Sequence, residues 1–338
     1  MKQFLTLILA ILCSTSVALA TTYTGTTGDC TYTLDTSDST LVISGTGAMD
    51  DYSSSSSVPW YSYRSYVKTV TIEDGVTSIG SYAFRASSSL TSVTIGSGVT
   101  SIGDYAFRNC SSLTSITSLA VTPPTCTDDS FFSSTYSSAT LYAASCDYQS
   151  ATYWSDFTNI SEIPCGDDLT WLYCDGTLTI SGSGDMYDYS SAGEAPWYSY
   201  ASSITSITLS SEMTSIGDYA FYGLSSITSI EIPDAVTSIG SYAFFGCDNI
   251  WWIHCDATTP PTCDVVNWLS PFSYSVYSTA VLYVQSCYYY TASWWYVFEN
   301  VVYVDNGSCG DNLTWDYNAG GEDGNWWHTL TISGSGDM

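Results

Sequence analysis

Twelve cysteines, two histidines and 33 acidic residues are the groups in this chain that could close disulfides, hold a metal or serve as acid and base. The histidines, His254 and His328, stand far apart. Neither lies at ligand spacing from the other or from a Cys-x-x-Cys pair, so the spacing predicts no metal site and no cofactor. No Gly-x-Ser-x-Gly string is present, and no spacing singles out a nucleophile with its base or a working pair of carboxylates. Asp50, Asp51, Asp185 and Asp188 follow glycine turns, but the alternating acids of a calcium loop are missing, so they read as solvated turn residues. An enzyme is not expected. The chemistry left to this chain is crosslinking by its cysteines and recognition by whatever side chains its surface presents.

The elements that must present them are set by repetition at two scales. Val76-Thr-Ser-Ile79-Gly-Ser-Tyr-Ala83-Phe84 returns 23 residues later as Val99-Thr-Ser-Ile102-Gly-Asp-Tyr-Ala106-Phe107, then again at Met213 to Phe221 and Val236 to Phe244. These units sit inside a longer module. Leu41 to Met49 matches Leu178 to Met186, and Pro59-Trp60 matches Pro196-Trp197, at a constant offset of 137 that holds through Pro123-Pro-Thr-Cys126 and Pro260-Pro-Thr-Cys263. A third copy opens at Gly310 and reaches Met338. The expected organisation is a first module at 21–163, a second at 164–307 and the start of a third at 308–338. Periods of this length mean stacked coils around a shared core.

Each module divides into three parts. Its opening segment, Tyr32 to Ser44 or Leu169 to Ser181, alternates like a β-hairpin. The middle supplies one short strand per coil, with Val70 and Ile72, Val93 and Ile95, Ile207 and Leu209, and Ile230 and Ile232 turned inward. A further strand is expected at Leu113 to Ile116 and at Ile250 to Ile253. The closing segment, Tyr153-Trp154 to Ile160 or Trp294-Trp295 to Val301, is aromatic and reads as a cap over the last coil, with short helical turns. The fold class predicted is a mostly β solenoid with a curved parallel sheet, hairpin opening segments, aromatic caps and few helices.

This alternation also says which side chains face out. In the first module they are hydroxyls: Thr69 and Thr71, Ser92 and Thr94, Ser115 and Thr117. The second begins the same way at Ser206, Thr208 and Ser229, and then breaks to Glu231, Trp252 and His254. These three are the candidate partner contact, since an outward Trp can stack on a sugar ring or anchor a protein. The competing expectation is that Trp252 covers the adjoining cap.

The Leu-x-x-Val-x-Ile strand at Leu90, followed by Val-x-x-Ile-Gly-x-x-Ala-Phe and Cys-x-x-Leu, resembles the BspA-like (Treponema pallidum type) leucine-rich repeats. The opening segment at Gly166 to Gly184 and the closing Trp-x-x-Phe-x-Asn segments are similar to what often flanks such runs. The resemblance covers most of Gly28 to Met338 and implies a cell-surface or secreted protein engaged in adhesion, with no catalytic residues to carry over. Richness in Tyr and Ser and scarcity of Lys depart from the family pattern.

The chain's beginning agrees with export. Lys2, an apolar run from Phe4 to Cys13 and Ala18-Leu19-Ala20 have the makeup of a signal peptide, residues 1–20, with cleavage expected after Ala20. That run is too short to span a bilayer, and no later apolar stretch is long enough, so no membrane insertion is expected once it is removed. Cleavage takes Cys13 and leaves an odd number of cysteines, which in an exported chain read as disulfides. Cys126 with Cys146 and Cys263 with Cys287 are the expected pairs, tying cap to solenoid. Asn159, Asn306 and Asn312 stand in acceptor strings for glycosylation, should the host glycosylate exported proteins.

Composition narrows the partners. Charged residues are only 11% of the chain and its net charge is −28, against nucleic acid and against anionic membranes. With 45% hydrophobic residues, the body of the chain can bury a core. The function predicted is non-catalytic binding or adhesion, secreted or at the cell surface, toward an extracellular protein or glycan. The alternative is an extracellular matrix component that self-associates through exposed aromatic residues.

Overall fold

Each coil lays its strand directly against the next. In the structure, a computed structural model that describes residues 21–263, 270–292 and 294–303 and the backbone of the strands Leu313–Glu322 and Asn325–Gly334, the strands Thr69–Ile72, Ser92–Ile95, Ser115–Ser118 and Thr140–Ala143 pair in parallel. Register is set residue by residue: Thr69 lies beside Ser92, Ser92 beside Ser115 and Ser115 beside Thr140. Asn159–Ser161 extends the ladder at one edge. At the other edge three antiparallel strands, Thr22–Thr27, Cys30–Asp35 and Thr40–Gly45, complete an eight-stranded sheet. The third strand of the ladder begins two residues later than the expected Leu113, because pairing with Ser92 fixes its start at Ser115.

The opposite side of each coil carries a shorter parallel ladder, Gly47–Ala48, Val76–Ile79 and Ser101–Ile102, which sets Ile79 beside Ile102. Between the two ladders the inward side chains stack one per coil. Trp60, Phe84, Phe107 and Phe131 form a column with ring centroids 5.6, 5.2 and 5.3 Å apart. Trp197, Phe221, Phe244 and Phe272 repeat it at 5.9, 5.2 and 5.1 Å. All eight rings are buried, which is the expected consequence of burying equivalent residues from successive coils. Each column begins with an indole whose N–H also finds a partner: Trp60 donates to the Ala83 carbonyl at 3.0 Å, and Trp197 to that of Ala220 at 2.7 Å.

The closing segments cap the columns as the aromatic spacing predicts. Trp154 and Phe157 meet Phe131 edge to face, and Trp295 and Phe298 meet Phe272 the same way. The Pro-Pro pairs fix these caps. Trp154 donates to the Pro124 carbonyl at 2.7 Å and Trp295 to the Pro261 carbonyl at 2.8 Å. The α-helices among the described residues are one or two turns long, Thr135–Ser138 and Tyr274–Thr279.

In the second half the hairpin Gly166–Cys174 and Thr177–Met186 is followed by parallel strands at Ser206–Thr208, Ser229–Ile232, Trp252–Cys255, Val281–Val284 and Asn300–Tyr303. The buried apolar residues form two clusters, one running from Cys30 to Phe157 and the other from Ala144 to Tyr303. Leu313–Glu322 and Asn325–Gly334 pair as a further antiparallel hairpin.

The expected disulfides are corrected. Cys146 bonds Cys174, 28 residues on, with Cα atoms 5.7 Å apart. Cys126 is a half-buried free thiol turned against the first core, and Cys263 is a buried free thiol; the side chain of Cys287 lies outside the described residues. Backbone geometry explains the exchange of partner. The Tyr173 N–H donates to the Ala144 carbonyl at 2.9 Å and Ser145 bridges Tyr173, which brings the 3-10 turn Cys146–Gln149 against the next hairpin. Cys110 and Cys247 are buried at matching places of the two halves, and each thiol donates to a carbonyl of the coil before it, Phe84 or Phe221, at 3.1 Å.

Candidate binding face

Across Thr69–Ile72, Ser92–Ile95 and Ser115–Ser118 the outer face of the first ladder carries hydroxyls, with Ser92 donating to Thr69 at 3.3 Å, and Tyr142 stands beside Thr117 on the next strand. The second ladder departs from it where the sequence pattern breaks. Register places Glu231 beside His254 and His254 beside Tyr283, so an acid, an imidazole and a phenol lie in one row across three strands. Trp252, two residues before His254 on the same face, lies 5.6 Å from His254 and 5.9 Å from Tyr283 by ring centroids. The structure thus brings Trp252, His254 and Glu231 together. Trp252 leans on Tyr283 of the neighbouring strand Val281–Val284 yet stays half-buried, so it covers that residue and still presents part of its indole. His254 Nε2 lies 3.4 Å from Asp256 Oδ1.

Beside this row the ladder is open. In the first half Thr69–Ile72 and Ser92–Ile95 are paired throughout. The equivalent strands of the second half, Ser206–Thr208 and Ser229–Ile232, form no ladder with each other; each pairs only on its far side, with Thr177–Met186 and Trp252–Cys255 respectively. A groove of about 410 Å³ follows this seam, reaching inward to Ile207 and Ile230 and bounded by Glu231, Asp234, Trp252 and Asp256. Ile207 and Leu209 are half-buried, whereas their counterparts Val70 and Ile72 are fully buried.

The cause lies in two residues. A side-chain carbon on Gly96 would stand 2.6 Å from the Glu73 carbonyl carbon and 2.7 Å from the Ile72 oxygen, and one on Gly98 would collide with the Asp74 oxygen. Glycine at both positions lets the first-half coils touch. The second half has Pro233 and Ala235 there, both with a Cβ, and proline also has no N–H to donate. In the first half the residue between them, Ser97, donates its N–H to Asp74 at 2.7 Å; Ser211 stands in the place of that acid in the second half.

Charge divides the chain the same way. Beyond Lys2, its Lys and Arg residues are Arg64, Lys68, Arg85 and Arg108, and none follows. Arg64 stacks on Tyr61, Arg85 on Tyr82, and Arg108 on Tyr105 while pairing with Asp129. The groove therefore gathers carboxylates in a half that has no Lys or Arg of its own. Tyr283, Asp234 and Asp256 were not singled out by outward alternation alone. Replacement of Gly96 and Gly98 by Pro233 and Ala235 was the sequence signal that could have found the seam.

No group of three or more His, Cys, Asp or Glu among the described residues is placed to hold a metal. Asn159 is exposed on the edge strand Asn159–Ser161; Asn306, Asn312 and Ala20 lie outside the described residues, as does the side chain of His328. Among the described residues no helix is long and apolar enough to cross a membrane.

A parallel ladder fed by one strand per 23-residue coil, with an aromatic column behind it, defines a leucine-rich repeat protein. The model of the BspA type leucine rich repeat region matches in six copies at residues 59–173 and 195–260, more than half of the chain, and the chain belongs to that family. No curated protein matches it. Among solved structures it is similar to a leucine-rich repeat protein from Eubacterium ventriosum, at 22% identity over 78% of this chain and 79% of that one, TM-score 0.26. It is also similar to a leucine rich cell surface protein from Faecalibacterium prausnitzii, at 18% identity over 84% and 95%, TM-score 0.21. The pneumococcal vaccine antigen PcpA matches at 12% identity over 84% and 97%, TM-score 0.23.

Proposed function

We propose that this chain is a non-catalytic binding protein, secreted or held at the cell surface, which presents the outer face of its second ladder to an extracellular protein or glycan. Residues 21–163 and 164–307 act as two modules of one scaffold, with 308–338 beginning a third. One observation carries the reading: a half-buried Trp252 is held beside His254 and Glu231, against Tyr283, where the matching places of the first ladder hold Ser115, Thr117 and Thr94 against Tyr142. A fixed indole offers large contact area at little ordering cost, which is what interface anchors share. The export signal read at residues 1–20 and the disulfide Cys146–Cys174 both suit an oxidising exterior.

The test is binding of the mature chain to a glycan array and to purified surface proteins, with Trp252→Ala beside the native sequence. Selective, saturable binding that the substitution reduces at least about tenfold is expected, with thermal stability changed little. Unchanged affinity removes this face from the function.

A second reading has its own observation. Tyr66, Trp251, Tyr274 and Tyr296 are 64%, 60%, 82% and 62% exposed, a supply of aromatic surface suited to self-association into a matrix. Sedimentation over a hundredfold concentration range would show reversible growth under that reading and a constant species under the first.

A further inference from the structure

The open seam has three properties that together specify an occupant. First, it leaves one backbone edge of Ser206–Thr208 and one of Ser229–Ile232 without a ladder partner, although both strands keep extended geometry and full pairing on their far sides. The two strands still approach within 8 Å by Cα, closer than the roughly 9.5 Å that an intervening strand would need, so the opening admits a side chain and not a backbone. Second, Glu231, Asp234 and Asp256 bound the groove, and Trp252 lies over the same opening. An indole face beside carboxylates is the environment that holds a guanidinium or ammonium, by stacking and by charge. Third, the protein supplies no such cation from the same half, and its arginines are each engaged locally in the other.

We infer that the seam is a docking slot for an extended segment of a partner protein, which lies across the outer face and places an arginine or lysine side chain in the groove between Trp252 and the carboxylates. The inference rests on the binding function proposed above and names its partner class. It also gives Pro233 and Ala235 a role: they hold the slot open by keeping two coils from closing as their counterparts do in the first half.

The test uses the full mature chain and a fluorescently labelled extended peptide, Thr-Val-Thr-Arg-Thr-Val-Thr with blocked ends, read by anisotropy. Saturable binding is expected. It should weaken at least about tenfold when the central arginine is replaced by glutamate, and should fall as salt rises. Glu231→Gln and Trp252→Ala should each weaken it. The double substitution Pro233→Gly with Ala235→Gly restores the residues of the closed first half and should close the slot. It is expected to abolish binding while leaving Trp252 and Glu231 in place. Hydrogen exchange supplies a readout that needs no ligand: amides of 229–232 should exchange faster than those of 92–95, and the double substitution should erase the difference.

Equal binding of arginine and glutamate peptides, undiminished binding by the double variant, or equal protection of the two strands would overturn the inference. If the peptide fails to bind while Trp252→Ala still abolishes capture of a glycan, the slot is refuted and the contact face stands. If the peptide binds as described while Trp252→Ala leaves glycan and surface-protein capture intact, the slot stands and the wider role assigned to that face falls.

Discussion

Phe107 is the ring on which the first column turns. It is fully buried, stacked 5.2 Å from Phe84 on one side and 5.3 Å from Phe131 on the other, with interplanar angles of 15° and 9°. Replacing it with alanine removes a large buried side chain, empties a space that neighbouring coils are held apart from filling, and breaks two ring contacts. Buried Phe→Ala changes cost about 3–5 kcal/mol, of which the ring pairs account for about 0.5–1.5 kcal/mol each. Against a total stability of about 5–15 kcal/mol, this is a fifth or more of what holds the surrounding core. With a urea dependence of about 2 kcal/mol per molar, the midpoint should fall by roughly 2 M. The measurement is urea unfolding of the mature chain, followed by hydrogen exchange separately in peptides covering 92–118 and 229–255. Loss of protection should concentrate in the first set. Phe244→Ala, at the matching place between Phe221 and Phe272, should reverse the pattern at similar cost, while Tyr66→Ala, 64% exposed, should stay within about 0.5 kcal/mol. A Phe107→Ala cost below about 1 kcal/mol would refute the shared-column account of stability.

Other consequences are open to direct measurement. Cys146→Ser should lower stability by about 3.5 kcal/mol through the freed loop, matched by reduction of the native chain, whereas Cys126→Ser should leave the Cys146–Cys174 peptide intact in non-reducing maps. Burial pushes the Cys110 and Cys247 thiols up to about 12 from an ordinary value of 9.0. The neutral thiol is the form that burial favours. Its contribution is therefore complete below about pH 9 and is lost as pH rises toward 12, by about 1.4 kcal/mol per pH unit for each thiol. Thermal scans should show melting temperature falling steadily above pH 9, and less steeply in a Cys110→Ala, Cys247→Ala variant. Trp154→Phe keeps a ring against Phe131 but strands the Pro124 carbonyl. A cost of about 1–3 kcal/mol, or roughly 3–8 °C in melting temperature, is expected.

Spacing made most of the scaffold legible. A 23-residue period with inward aliphatics at alternating places has one economical outcome, and the parallel ladder, the aromatic columns and the caps follow from it. The outward break to Glu231, Trp252 and His254 was readable for the same reason, since strand alternation is a strict geometric rule. Two features were not. The disulfide joins Cys146 to Cys174, a cysteine without a counterpart in the first module, so matching equivalent positions pointed away from it. The seam is not legible in the strand pattern because its cause sits in turns. Gly96 and Gly98 count as ordinary turn residues until the carbonyls of the coil beneath are placed, and only then does the Cβ of Pro233 or Ala235 become an obstacle. Strand patterns report what faces in or out; they do not report how closely one coil approaches the next.

The Cys146–Cys174 bond lies where the last coil of one repeat run meets the hairpin of the next. For a protein tethered at one end and gripped at the other, tension crossing that junction would travel through sulfur and bypass the intervening chain. The chain between the cysteines, a sequence separation of 28, could pay out about 100 Å if drawn straight and stays slack while the bond is oxidised. Reduction would release that segment, so the redox state of the surroundings sets whether the junction behaves under load as a stiff strut or as an extensible leash.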